Sequence, residues 1–117
     1  MKRDEKHLAF IRALPCVICG AEAEAAHVRY SDASRGKVNP GMSRKDDRYV
    51  LPLCHGCHRT GQEAQHRTGE REWWQGHGID PIPVCEALRA VSGDVEAGWK
   101  IIREMQKETN HVEPESR

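Results

Sequence analysis

Phenylalanine occurs once in these 117 residues, and aromatic residues make up only 5% of them. Hydrophobic residues reach 38%. So thin an apolar supply excludes a large enzyme core, a multidomain machine and a coiled-coil rod. A chain of this length forms one domain and buries roughly 60–70% of its surface. Cores of this size are commonly completed by a metal, disulfides or a partner subunit. No apolar run approaches the roughly 20 residues of a membrane helix. The charged start, Met1-Lys2-Arg3-Asp4-Glu5-Lys6, has no apolar h-region after it, so no signal peptide is expected there. The expectation is a cytoplasmic protein with no membrane partner, where disulfides are rare. Net charge is missing too: 18 Lys+Arg balance 18 Asp+Glu. Nucleic-acid binding therefore needs a local basic patch.

What the chain does contain predicts an α+β fold. Lys6 to Leu14 forms an amphipathic helix that Pro15 stops. The small-residue run Ala21 to Ala26 leads into a short strand, His27-Val28-Arg29-Tyr30. Ser31 to Asp47 is a loop rich in turn formers. Tyr49 to Leu53 is a second strand, which Pro52 confines to an edge or an end. A helix starts near Cys57, weakened by Gly61, and Glu70 to Trp74 continues or restarts it. Gly76 to Pro83 is a linker. Val84 to Lys107 is a long helical segment with Leu88, Val91, Val95, Trp99, Ile102 and Met105 on one face. Gly93 and Gly98 permit its division into two helices. The chain thus divides into a core over 1–83 and a C-terminal helical extension with a polar tail over 84–117.

Four of the five cysteines form Cys16-x2-Cys19 and Cys54-x2-Cys57, with 34 residues between the pairs. A two-residue gap turns both sulfurs of a knuckle onto one ion, and two knuckles complete a tetrahedral site. In a short cytoplasmic chain this pattern predicts a structural Zn2+, the alternatives being two disulfides or incidental thiols. Cys85 stands apart and is expected to be a small buried apolar residue.

His27 falls between the cysteine pairs, His55 inside the second, and His58 and His66 just after it. Neutral imidazole binds divalent ions, and a pKa of about 6.5 makes it a usable base near neutrality. Cys16-x2-Cys19, then Ala26-His27-Val28-Arg29, then Val50-Leu51-Pro52-Leu53-Cys54-x2-Cys57-His58 with His66 beyond, resembles the HNH (ββα-metal) endonucleases. The similarity is closest to the small zinc-knotted forms of phages and prophages, and runs from about His7 to Leu88. Trp73-Trp74 and Gly78-Ile79-Asp80-Pro81 add to it. The resemblance implies a zinc-stapled β-hairpin and a helix around one catalytic divalent ion, such as Mg2+, Mn2+, Ni2+ or Zn2+. It implies His27 as the general base that activates water against a DNA phosphodiester. It implies His58 and His66 as ligands of the catalytic ion, and Cys16, Cys19, Cys54 and Cys57 as holders of the scaffold.

The sequence departs from the family pattern at three places. Ala26 occupies the position before the base, where many members carry a metal-ligating Asp or His. The motif's Asn has no counterpart ahead of Leu53, where Asp46-Asp47-Arg48 stands; Asp47 is a candidate hydrogen-bonding replacement. His58 and His66 are eight residues apart, about 12 Å along a straight helix. Either Arg59 to Gln65 is not a straight helix or His66 has another role. His7, His55, His77 and His111 are expected at the surface or behind the site.

Six basic residues against three acidic ones lie between His27 and Arg48. Arg29, Arg35, Lys37, Arg44 and Lys45 are the predicted phosphate contacts, the alternative being a solvated loop. From Glu86 onward seven acids face five bases. No base-reading helix is evident, which implies weak sequence specificity. Trp73 and Trp74 are expected to pack a helix onto the zinc knot. The last helix either docks on its own chain or makes a homodimer. The rival to the nuclease is a non-catalytic zinc-knuckle module that binds nucleic acid.

Overall fold

Asp4 starts the first helix by accepting the His7 backbone N–H on Oδ1 at 3.1 Å, which satisfies one of the donors a helix start leaves unpaired. In the computed structural model, which describes residues 4–30, 47–65 and 69–111, α1 runs Glu5–Arg12. It stops short of the predicted Leu14, as Ala13 and Leu14 form a closing turn ahead of Pro15. Leu8, Phe10 and Ile11 are buried, and so is His7. Of the two positions expected for His7, at the surface or behind the site, the surface one is excluded. His7 sits on the same helical face as the apolar residues and is only 1% exposed.

β1 is Glu24–His27 and β2 is Val50–Leu53, paired antiparallel with Glu24 opposite Leu53 and His27 opposite Val50. The first strand lies earlier than expected. Its residues come mostly from the Ala-Glu run, which alternates with the period of two that a pleated strand uses, and His27 is its last residue rather than its first. Pro52 costs the ladder nothing. It faces Ala25 in a pair that exchanges no hydrogen bonds, and its carbonyl points to the outer edge, where it accepts the Val17 N–H at 3.0 Å.

α2 follows at once, His55–Gln65, then α3, Glu70–Gly76. The linker is shorter than anticipated, residues 77–80, because Pro81 takes the first position of α4, Pro81–Ala90, where its missing N–H is no loss. The long C-terminal segment is two helices. Gly93 adopts φ 92° and breaks the chain before α5, Val95–His111. Gly98, the other candidate break, lies inside α5, where a Cβ would come within 3.0 Å of Leu14 and Phe10. Its bareness is what lets α5 lie against α1.

Among the described residues the architecture is α+β, a two-stranded hairpin with five helices. All four residues of β2 are buried. Val50, Leu51 and Leu53 lie in one apolar cluster with Leu8, Ile11 and Leu14 from α1 and its end, Ile82, Cys85 and Leu88 from α4, and Ile102 from α5. Cys85 is fully buried, as expected of an apolar role. No helix among the described residues is long and apolar enough to cross a membrane.

Candidate metal centre and adjoining cavity

Both knuckles are attached to β2. The Val17 bond to Pro52 lays the first along the strand's outer edge, and the second begins at Cys54, directly after Leu53. Within the first, the Ile18 and Cys19 N–H groups point at Cys16 Sγ, at 3.4 and 3.5 Å. Within the second, the Cys57 N–H points at Cys54 Sγ at 3.4 Å. Gly20, at φ 82°, lets the chain reverse so that Cys16 N–H reaches the Ala21 carbonyl at 2.8 Å. From the other side, Gln106 Nε2 of α5 donates to the Cys16 and Val17 carbonyls at 3.2 and 3.3 Å.

The sulfurs of Cys16, Cys19, Cys54 and Cys57 all lie within 4.8 Å of one another, and Cys19 and Cys54 are 3.5 Å apart. Tetrahedral zinc with bonds of about 2.3 Å needs sulfurs separated by roughly 3.8 Å, so the cluster fits a structural ion such as Zn2+. The four are thiols, not disulfide partners. Left to themselves they titrate apart: the Cys57 N–H holds the Cys54 thiol down at about 7, while burial pushes Cys57 up. All four would be held as thiolates by a divalent ion, which would remove that conflict.

Beside the knot lies a cavity of about 460 Å³, open to both His27 and His58. His27, at the end of β1, donates from Nε2 to Asp47 Oδ1 at 2.7 Å, with side-chain exposures of only 13% and 9%. Asp47 Oδ2 accepts the Asp4 N–H at 2.7 Å. Asp4 in turn binds Arg89 Nη1 at 2.8 Å; the His7 N–H and that guanidinium hold its carboxyl below the usual range. The ring of His27 is thereby tied through two aspartates to α1 and α4.

His58, in the first turns of α2, donates from Nδ1 to Glu24 Oε1 at 2.7 Å, and His55 donates from Nδ1 to Glu24 Oε2 at 3.1 Å. These bonds, led by that of His58, keep the Glu24 carboxyl below its ordinary value. Glu70 at the start of α3 accepts the Arg29 backbone N–H at 2.9 Å and Trp74 Nε1 at 3.2 Å, fastening α3 to the end of β1. Trp74 is buried, and Trp73 lies on Gly61 of α2. Trp73 thus packs α3 onto α2 rather than onto the cysteine knot that was expected.

Of the expected site residues, the four cysteines come together, and His27, His58 and Arg29 line the adjoining cavity. Arg35, Lys37, Arg44, Lys45 and His66 lie outside the described residues. α2 is helical without a break from His55 to Gln65, so the alternative of a non-helical Arg59 to Gln65 does not hold. Three residues on the cavity escaped sequence reasoning: Arg12, Glu24 and Glu70. Glu24 was recoverable from the alternation Glu22-Ala23-Glu24-Ala25, which signals a strand with its carboxylates on one face. Arg12 and Glu70 carry no sequence signal, because distant elements deliver them. Among the described residues the cysteines are the one group of three or more metal-ligating side chains close enough to share an ion.

The fold and the site define an α+β domain with a four-cysteine cluster able to hold a metal ion, set against a histidine-lined cavity. Residues 1–91 of the 117 match the family described as "Protein of unknown function (DUF968)", and the chain belongs to that family. No curated protein and no solved structure matches the chain.

Proposed function

We propose that the protein is a metal-dependent endonuclease of the HNH type, hydrolysing phosphodiester bonds of DNA and of phage or prophage derivation. One observation carries this reading: His27, oriented by the buried carboxylate of Asp47 at 2.7 Å, opens with His58 onto a single cavity beside the four-cysteine knot. His27 acts as general base. With Nε2 engaged by Asp47, the proton of the attacking water passes to Nδ1. Asp47 accepts from the imidazolium that results and so favours its formation. Asp47 lies in the stretch where the family motif has Asn, and both of its oxygens accept, one from the Asp4 N–H and one from His27 Nε2–H.

His58 would hold a divalent ion; the eight-residue spacing along a helix unbroken to Gln65 argues against the sharing of that ion with His66 that the resemblance implies. When bound, that ion supplies charge stabilisation to the pentacovalent phosphate and the leaving oxygen. Arg29, with Arg35, Lys37, Arg44 and Lys45 of the basic segment, contacts backbone phosphates; such contacts give affinity without sequence reading. The four cysteines hold Zn2+ and keep the hairpin and α2 in register.

The test is nicking of supercoiled plasmid by the zinc-loaded protein with Mg2+, Mn2+, Ni2+ or no added ion, beside His27→Ala. Metal-dependent nicking by the wild type alone supports the enzyme. The second reading, a non-catalytic zinc-knuckle module that binds nucleic acid, is favoured by the absence of a second metal-ligating cluster among the described residues. It predicts gel retardation of DNA by both proteins and cutting by neither.

A further inference from the structure

We propose that Glu24 is the positioning residue of His58: its carboxylate holds the imidazole by Nδ1 and so presents Nε2, in the form that carries the lone pair, to a divalent cation. The inference rests on the reading of His58 as a ligand, and goes beyond it by assigning the residue that makes it one.

The placement follows from the register. Glu24 pairs with Leu53, two residues before α2 begins, so its side chain lies against the first turn of that helix. His55 and His58 are three apart and share one helical face. Both point Nδ1 at this carboxylate, His58 on Oε1 at 2.7 Å and His55 on Oε2 at 3.1 Å. An ionised carboxylate only accepts, so each ring must donate from Nδ1. In neutral imidazole the lone pair is then on Nε2, the nitrogen a metal binds. Carboxylate–histidine–metal arrangements of this kind fix the tautomer and the ring orientation and raise the basicity of the ligand.

The two histidines differ in where they sit. His58 lines the cavity that also holds His27, whereas the side chain of His55 is 75% exposed and does not line it. Glu24 therefore serves His58 in the site, and His55 is the second, solvent-side contact. The strand shows why the acid stands here. The position before His27 is Ala26, buried and unable to bind an ion, while Glu24 projects from the same face of β1 two residues earlier. A merely structural role for Glu24 has a basis too, because the first turn of α2 has no acid of its own and Glu24 supplies negative charge at that helix start. Such a role affects stability but not the affinity of the folded protein for a cation.

The experiment titrates Mn2+ into the full-length, zinc-loaded protein by calorimetry; Mn2+ does not compete for thiolates. Wild type is compared with Glu24→Ala, Glu24→Gln, His55→Ala and His58→Ala, each shown folded by its melting curve. Glu24→Ala is expected to weaken Mn2+ binding by about 10–100-fold. Glu24→Gln should weaken it less, since the amide oxygen still accepts from Nδ1–H, and His55→Ala should leave it unchanged. Loss of binding in His58→Ala with full binding in Glu24→Ala overturns the role of Glu24 and leaves the nuclease reading standing. A Glu24→Gln variant as weak as His58→Ala makes Glu24 a ligand itself and overturns the positioning role. No Mn2+ binding in the wild type, or full binding in His58→Ala, sinks the metal half of the nuclease reading and this inference with it. Should Glu24→Ala fail to fold, ¹H–¹⁵N spectra of the wild-type histidines decide. The Nδ1–H tautomer at His58 is expected, and an Nε2–H tautomer overturns the proposal.

Discussion

A general base has to be oriented before the reaction begins, and the base proposed at His27 is held by one carboxylate that also accepts the Asp4 N–H. His27→Ala should lower plasmid nicking by about 10²–10⁴-fold while leaving the melting temperature of the zinc-loaded protein within a few degrees of wild type. Asp47→Ala should differ, reducing nicking and also removing about 1–3 kcal/mol of stability in denaturant titrations, because it strands a backbone donor. His7 carries a separate prediction. It is buried, with Nδ1 on Ser92 Oγ at 2.7 Å and no partner for Nε2 among the described residues. Burial, and then the nearby charge of Arg89, lower its pKa below the usual 6.5. The folded state thus binds this proton less readily than the unfolded chain does. The stabilising effect is complete above pH 6.5 and is lost as the pH falls below it, at up to about 1.4 kcal/mol per pH unit. Urea titrations at pH 7.5 and 5.5 should show that loss in the wild type, and less of it in His7→Gln.

At the scale of elements, the contact between α1 and α5 depends on one missing side chain. Gly98→Ala places a Cβ within 3.0 Å of Leu14 and Phe10, both buried. Overpacking of this kind costs about 1–3 kcal/mol, against roughly 1 kcal/mol gained in helix propensity. A lower melting temperature is expected despite the better helix former, and an unchanged or higher one would show that α5 can shift at no cost. Such pairings explain what was legible in the chain and what was not. α1 and the position of β2 follow from apolar period and from Pro15 and Pro52, which act within a few residues. The start of β1 was misplaced because Ala and Glu are weak strand formers. They form a strand here because β2 lies opposite, and that partner is 26 residues away in the chain. The division at Gly93 and the continuity through Gly98 look alike in sequence. Positive φ at one and close packing at the other tell them apart.

For the whole molecule, the metal centre and the apolar cluster depend on each other. The first knuckle is held by β2 and by Gln106 of α5, and the second is the bridge from β2 to α2. Removing zinc with a strong chelator should therefore unfold the domain, since such a site supplies roughly 10 kcal/mol. Elemental analysis should find one zinc per chain. Cys16→Ser should abolish the cooperative melting transition. Truncation after Val91, where the family match ends, should also destabilise the zinc-loaded protein. It uncovers Leu14 and Phe10, removes Ile102 from the core and frees the Cys16 and Val17 carbonyls. A melting temperature equal to that of the full chain would show α5 to be an accessory.

The spacing of the four cysteines and the α+β class were determined by sequence alone, because ligand spacing and local periodicity are properties of neighbouring residues. The partners of the histidines were decided only by the tertiary structure. Asp47 reaches His27 across 20 residues and Glu24 reaches His58 across 34. Pairing of β1 with β2 brings these groups to hydrogen-bond distance, and nothing in the local chain announces it. His7 makes the same point from the other side: it is a helical residue like its neighbours until α1 closes on the turn before α5, and burial then changes its chemistry.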